Sequence, residues 1–336
     1  MRRGLSLLMN SEESGRLLCA EQEFSGKLDD RGSNHGAHWT GAEIGPNVSS
    51  GDIEMTEPTA ELSGPARVPL NMQCFLAKDP RAVVIVAPAM GVSQSFYRAF
   101  AEWLRDQGIT TWTFDYRGTG DSRPASLRGF QVTVQDWARL DCREVLDRAT
   151  LEAPGLPVYW IGHSVGAQIF GLIPNQHKAT AMMSVAAGSG YWRYNAAPLR
   201  YYVHFLWFVV SPLAMAMSGY FPGKKLGMVG DLPYGVMEEW RRWCLSERYM
   251  GSDPNVRQTV AEVKVPITAL SFTDDEMMTH KGTTELFRLY ESAKVEVRSL
   301  APKTFAMKRI GHFGFFRKDC EKTVWPLVTE WVDQAR

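Results

Sequence analysis

One short stretch of the chain is informative above all others: Val158-Tyr159-Trp160-Ile161-Gly162-His163-Ser164-Val165-Gly166-Ala167-Gln168. Four residues with strand character lead into the pattern Gly-x-Ser-x-Gly, and a run that can be helical follows as far as Pro174. The pattern is typical of a nucleophile elbow, a sharp strand-to-helix turn that lifts a serine out of the backbone. Such a turn is crowded, so it needs small residues two positions before and after the serine, where Gly162 and Gly166 stand.

The pattern alone is not decisive, because a chain with 29 glycines can contain it by chance, as a glycine-rich turn of some other α/β protein. The rest of the chain supports it. Apolar runs with strand character alternate with helical patterns, which predicts an α/β fold with a mostly parallel sheet and helices on both faces. The predicted strands lie at 68–77, 82–87, 109–114, 158–161, 179–187, 266–272 and 295–300.

The alternation stops between residues 188 and 250, where the chain is crowded with aromatic residues. We therefore expect one α/β core at 61–187 and 251–336, interrupted by an inserted helical cap at 188–250. Residues 1–60 are rich in Gly, Ser, Glu, Asp and Asn without a sustained apolar period, which predicts a disordered or non-native extension. Met55 is a candidate for the natural start of the protein.

The charge and the cysteines of the chain indicate which partners and which cellular compartment to expect. The formal net charge is zero, so no basic field points to nucleic acid. The five cysteines are scattered and contain no CxxC pair, which indicates reduced thiols in a cytoplasmic protein, with neither a disulfide framework nor a metal site.

A serine nucleophile needs a base within hydrogen-bond reach and an acid that orients the base. At an elbow of this kind both follow the serine, in the order Ser, acid, His. His312 is the best base, because it lies in a glycine-flanked turn after the last strand. The acid comes from Thr273-Asp274-Asp275, after the preceding strand, and the spacing to the next helix favours Asp275 over Asp274.

Acyl transfer also needs two backbone amides to bind the oxyanion. One is predicted at Val165, directly after the nucleophile. The other should come from the loop after the first buried strand, Pro88-Ala89-Met90-Gly91-Val92, where we expect Met90 because Pro88 has no amide hydrogen.

These residues together resemble the α/β-hydrolase family over about residues 67–335. The resemblance is closest to monoacylglycerol-lipase-like and serine-aminopeptidase-like hydrolases, whose Asp-x-x-Gly-x-Gly-x-Ser loop appears here at 115–122. That branch usually has a His-Gly-x-Gly stretch in the oxyanion loop, where this chain has Pro88-Ala89-Met90-Gly91. The resemblance implies a cap domain and no metal or organic cofactor.

The segment 201–221 has 21 residues without a formal charge, long enough to span a membrane. A single crossing would separate Ser164 from Asp275 and His312, so we expect a lid helix or a shallow membrane contact. Its aromatic residues either line an acyl pocket or pack the cap onto the sheet.

The expected function is hydrolysis of a carboxylic ester with an apolar acyl group, acting on a small-molecule substrate. Acyl transfer with the same residues is an alternative. Aminopeptidase activity is another, for which Glu238 and Glu239 could provide an acidic pocket, although a solvated helix face is the simpler interpretation. A non-catalytic small-molecule-binding protein is a third alternative, against which the intact Ser, Asp and His count. The oligomeric state stays open.

Overall fold

A seven-stranded sheet is the centre of the computed structural model, which describes residues 68–335. The strands are β1 (Met72–Phe75), β2 (Ala82–Ala87), β3 (Ile109–Phe114), β4 (Val158–His163), β5 (Ala181–Val185), β6 (Ile267–Phe272) and β7 (Val295–Leu300). Their order in the sheet is β1-β3-β2-β4-β5-β6-β7. Only β1 is antiparallel to its neighbour, at one edge of the sheet. The mostly parallel sheet predicted from the sequence is therefore confirmed, whereas the predictions for residues 1–60, including a start at Met55, lie outside the described residues.

The strands β2 to β6 are buried along their whole length, which explains why they appear in the sequence as continuous apolar runs. Helices cover both faces of the sheet. They are α1 (Arg98–Asp106), α2 (Arg143–Glu152), α3 (Val165–Gln168), α4 (Leu199–Phe205), α5 (Ser211–Ser218), α6 (Tyr234–Leu245), α7 (Pro254–Ala261), α8 (His280–Phe287) and α9 (Pro326–Gln334).

The core on one face of the sheet is built by α1 and α9. Phe100 of α1 packs edge-on against Trp325, with ring centroids 5.2 Å apart, and both side chains are fully buried. Phe316, in the loop before α9, packs on the same phenylalanine at 5.3 Å. This aromatic cluster fixes the segment between β7 and α9, where His312 lies.

Between β5 and β6 the chain forms α4, α5 and α6, with a π-helical turn, Leu206–Val210, joining the first two. We call residues 188–250 the cap. One stripe of the α4–α5 helix is buried, at Val203, Trp207 and Met215. By length and composition alone, Leu199–Ser218 is the one helix in the described part of the chain that is apolar enough to cross a membrane, and 22% of it is buried.

Candidate active site

The elbow is formed by the end of β4 and the start of α3. Ser164 stands between them with φ 51° and ψ −113°, a strained conformation that costs a non-glycine residue about 1–3 kcal/mol. A Cβ on Gly162 would lie 2.4 Å from the Ala167 amide nitrogen, and one on Gly166 would lie 2.3 Å from the Ala87 carbonyl oxygen. The two glycines are therefore required by close backbone approach, as the sequence predicted.

The structure brings His312 and Asp275 together. The imidazole Nδ1 is 2.9 Å from Oδ2 of the carboxylate and 3.2 Å from Oδ1, and both side chains are 1% exposed. Asp275 Oδ1 also accepts hydrogen bonds from the amides of Met277 and Met278, at 2.7 and 2.8 Å. These two amides fix the carboxylate, and the carboxylate in turn holds Nδ1 protonated, which leaves Nε2 free to act as a base.

Asp274 and Glu276, the two neighbours of Asp275 in the chain, bind the backbone of the loop that carries His312. Asp274 Oδ2 accepts hydrogen bonds from the amides of Ile310 and Gly311, at 2.8 and 3.1 Å. Glu276 Oε2 accepts one from the His312 amide at 3.1 Å. Asp274, the alternative acid of the sequence analysis, therefore binds the loop backbone and not the imidazole. Glu276 was missed there, because nothing in its local sequence marks it as a partner of a loop 36 residues away.

A second histidine, His163, connects the elbow to this loop. Its Nε2 is 3.0 Å from the His312 carbonyl oxygen, which can only accept, so Nε2 carries the hydrogen. The other ring nitrogen, Nδ1, is 2.7 Å from the Tyr97 hydroxyl, which donates to it and accepts a hydrogen bond from the Ala89 amide at 2.8 Å. One chain of hydrogen bonds thus runs from the oxyanion loop through the elbow to the His312 loop.

The two histidines have opposite pKa shifts. Burial lowers the pKa of His312, but the charge of Asp275, its hydrogen bond to Nδ1 and the charge of Glu276 outweigh burial and raise the pKa above its ordinary value. Burial, together with the nearby His312, holds the pKa of His163 well below its ordinary value. Of these two histidines, His312 is therefore the one that takes up a proton more readily.

The predicted oxyanion donors lie at the same end of the sheet. Within residues 68–335 the amides of Met90 and Val165 donate no hydrogen bond, so both are open to an oxyanion. The Ser164 hydroxyl likewise has no hydrogen-bond partner among these residues. His163, the residue before Ser164, has its ring 5.3 Å from the ring of His312 between centroids. Contacts of a nucleophile in the free enzyme are often long and tighten only on substrate binding.

Known proteins are similar to this chain in sequence over part of its length and in fold. A family model described as serine aminopeptidase, S33, matches residues 78–220. A monoglyceride lipase homolog of Monkeypox virus is 30% identical over 111 residues, and the match spans 31% of this chain and 38% of that protein. A soluble variant of monoglyceride lipase from Saccharomyces cerevisiae has a TM-score of 0.59 at 16% identity, covering 83% of this chain and 98% of its own. The chain has the α/β-hydrolase fold.

A second solved structure shares this fold. A monoacylglycerol lipase of Paleococcus ferrophilus has a TM-score of 0.54 at 13% identity and covers 80% of this chain and 100% of its own. Its likeness, like that of the yeast enzyme, is a likeness of fold, which by itself names no substrate.

Glu239, one of the two glutamates considered for an aminopeptidase pocket, makes a buried contact between the cap and the core. Glu239, on α6, is 3% exposed, so the expectation of a solvated helix face is wrong at this position. Its carboxylate accepts hydrogen bonds from the backbone and side-chain amides of Gln135, at 3.0 and 2.6 Å. Glu238, the neighbouring residue, is exposed. Glu239 thus connects the cap to the core beside α2.

Proposed function

We propose that the protein is a serine hydrolase that cleaves a carboxylic ester of an apolar acyl group through an acyl-enzyme. The observation that carries the proposal is the buried His312–Asp275 pair beside a strained elbow serine. No metal or organic cofactor is needed for this chemistry, and the substrate is a small molecule.

In the proposed reaction, the Ser164 hydroxyl attacks the ester carbonyl carbon while His312 Nε2 takes the hydroxyl proton. The amides of Met90 and Val165 bind the oxyanion of the tetrahedral intermediate. The bond to the leaving oxygen then breaks, and His312 gives its proton to the departing alcohol. Water attacks the acyl-enzyme with His312 again as base, and the acid leaves Ser164 free. Asp275 stabilises the imidazolium in both halves.

An apolar substrate is supported by the cap and by the names of the relatives. The viral relative and two of the structures compared above are called monoglyceride or monoacylglycerol lipases, so a monoacylglycerol is the first natural ester to test. Transfer of the acyl group to an alcohol or thiol would use the same residues with another acceptor. Glu239 gives little support to aminopeptidase activity, because Gln135 occupies its carboxylate.

A shallow membrane contact through residues 201–221 is part of the proposal. The α4–α5 helix exposes a row of large apolar side chains on the face opposite its buried stripe: Tyr201, Phe205, Phe208, Val209, Leu213 and Met217. Residues 188–230 also contain four cationic side chains, Arg193, Arg200, Lys224 and Lys225, and no acidic one. An apolar helix face among cations favours contact with an anionic lipid surface. The protein is expected to work in the cytoplasm.

The test is labelling by a fluorophosphonate probe, which reports an activated serine without a choice of substrate. We expect labelling of the wild type and none of Ser164→Ala, with strong loss in His312→Ala. p-Nitrophenyl esters of rising chain length then measure the acyl preference. A folded wild type that the probe does not label would instead support the alternative of a binding protein.

Flotation with vesicles tests the membrane contact separately. Wild type should float with vesicles that contain phosphatidylserine, and less with pure phosphatidylcholine. The double variant Phe205→Ser, Met217→Ser should stay in solution and keep full activity on a short soluble ester. Equal flotation of the wild type and the double variant would refute the contact.

A further inference from the structure

The loop that presents Met90 is a tight turn. The Val92 amide donates to the Ala89 carbonyl oxygen at 3.1 Å, which closes the four residues from Ala89 to Val92 into a β-turn. Gly91, at the third position, has φ +68°. A positive φ at that position defines a type II turn and is readily adopted only by glycine. The turn has therefore one defined shape in which the Met90 amide stays unpaired within the described part of the chain.

The cap touches this turn through its backbone. The Gly230 amide donates a hydrogen bond to the Gly91 carbonyl oxygen at 3.1 Å. The approach is so close that a Cβ on Gly230 would lie 2.6 Å from that oxygen, and one on Gly91 would lie 2.9 Å from the Gly230 nitrogen. Two glycine backbones are thus in direct contact, and the Val229 side chain borders Gly91 beside them.

The cap segment that carries Gly230 is a closed loop. Phe221 and Leu232 exchange two backbone hydrogen bonds at its neck, each 2.9 Å long. Near its end Asp231 pairs with Arg123 of the core at 2.8 Å and accepts a hydrogen bond from the Lys224 amide at 3.1 Å. We call residues 221–232 the cap loop. Its seat on the core depends on the Asp231–Arg123 pair and on the Gly230–Gly91 contact.

The groups of the proposed mechanism are enclosed in this state. Ser164 is 7% exposed, Met90 5% and His312 1%. Such enclosed groups leave an ester little room at Ser164, and movement of part of the cap would widen its access during substrate entry and product release. The cap loop lies directly on the oxyanion turn, and its displacement would release the Gly91 carbonyl.

We propose that Gly230 is a positioning residue of the oxyanion hole. Its amide holds the Gly91 carbonyl and thereby the turn that aims the Met90 amide, so the hole is complete only while the cap loop is seated. The inference rests on the proposed function, since it takes Met90 as an oxyanion donor. The turn has a second anchor, the hydrogen bond from the Ala89 amide to the Tyr97 hydroxyl, which belongs to the core and stays when the cap moves. Cap closure therefore adjusts the turn without building it anew.

The experiment compares Gly230→Ala and Asp231→Asn with Gly155→Ala. Gly230→Ala places a methyl group against the Gly91 oxygen, and Asp231→Asn weakens the seat of the cap loop without adding an atom there. Gly155 lies in a turn before β4, with φ +81° and no atom within 4 Å of an added Cβ, so its variant reports the effect of backbone strain without a steric clash. The substrates are p-nitrophenyl esters, and an alkyl trifluoromethyl ketone is the transition-state analogue.

We expect kcat to fall about 10- to 100-fold in Gly230→Ala and about 10-fold in Asp231→Asn, less than the loss of a whole oxyanion donor. KM should change less than threefold, and the affinity for the trifluoromethyl ketone should fall by the same factor as kcat. A merely structural contact would lower the melting temperature or raise KM and leave the analogue affinity in place. Gly155→Ala should keep both kcat and analogue affinity.

Two results overturn the inference in distinguishable ways. A wild type that the fluorophosphonate probe does not label refutes the proposed function and, with it, the role of Gly230. A labelled wild type whose Gly230→Ala and Asp231→Asn variants keep the original kcat and analogue affinity refutes the positioning role alone. Asp231→Asn decides the question if Gly230→Ala does not fold.

Discussion

Replacing Asp275 by asparagine should invert the hydrogen-bonding direction of His312. Asp275 Oδ1 accepts from the amides of Met277 and Met278, so the oxygen of the new carboxamide must stay at that position. Its NH₂ group then points at Nδ1 of the imidazole, where Oδ2 was 2.9 Å away. A donor at this place requires Nδ1 to accept, which moves the imidazole hydrogen to Nε2. The histidine then presents a hydrogen to Ser164 where the reaction needs a lone pair.

We expect a large loss of kcat in Asp275→Asn because the substitution has two effects on His312. The wrong tautomer removes the general base, and the missing carboxylate no longer stabilises the imidazolium. Comparable changes in serine hydrolases reduce kcat by about 10⁴-fold, and we expect about 10³- to 10⁴-fold here. Since the carboxamide keeps both backbone contacts and the shape of the side chain, the free energy of unfolding should fall by only about 1–3 kcal/mol.

Asp274→Asn is the matched control, one residue away in the same turn. Its Oδ2 binds two loop amides, whereas Oδ1 is buried without a partner among the described residues. An asparagine can place its carboxamide oxygen where Oδ2 was and its NH₂ group where Oδ1 was. We therefore expect kcat to stay within about threefold, and the free energy of unfolding to fall by about 1 kcal/mol. The assay is steady-state hydrolysis of a p-nitrophenyl ester, with denaturant unfolding of each variant. Equal losses of kcat in the two variants, or a retained kcat in Asp275→Asn, would refute the assignment of the acid.

Three further outcomes follow from the contacts of the site. Glu276→Gln removes a negative charge that raises the pKa of His312. The acid limb of the pH profile of kcat/KM should therefore move to lower pH by roughly half a unit, which is the pKa shift expected from the loss of one partly solvated charge. Tyr97→Phe leaves the buried Ala89 amide without its acceptor and should reduce the free energy of unfolding, measured in urea, by about 1–3 kcal/mol. Gly166→Ala forces a methyl group against the Ala87 carbonyl oxygen and should abolish fluorophosphonate labelling, whereas labelling at the wild-type rate would show that the elbow tolerates the atom.

Much of the fold was predictable because buried parallel strands leave a strong local signal. The bounds of β3 and β7 agree with the prediction to the residue. Helix ends were less predictable. The elbow helix α3 ends at Gln168 and not near Pro174, and a 3₁₀ turn completes the segment. A 3₁₀ turn and an α-helix share their sequence preferences over three or four residues, so packing decides between them.

The residues of the site also differ in how well the sequence predicts them. Ser164, Asp275 and His312 are assigned from the sequence because chain order and strand ends fix where a nucleophile, an acid and a base can stand. The residues that hold them are found only in the structure. His163 occupies the variable position of the elbow pattern, and its partner Tyr97 is 66 residues away along the chain. No local pattern marks a hydrogen bond over that distance, because it depends on how the sheet brings the segments together.

The tautomer of His163 is set by its hydrogen bonds, and it affects the surroundings of His312. Because the His312 carbonyl can only accept, His163 donates through Nε2 and must keep Nδ1 unprotonated to receive the Tyr97 hydroxyl. A proton on Nδ1 would put two donors on Tyr97, which already accepts from Ala89, and would place a positive charge 5.3 Å from the His312 ring. The lowered pKa of His163 prevents both. The elbow histidine therefore holds the loop of His312 in position and stays neutral, which in the proposed mechanism leaves the proton transfer between Ser164 and the leaving alcohol to His312.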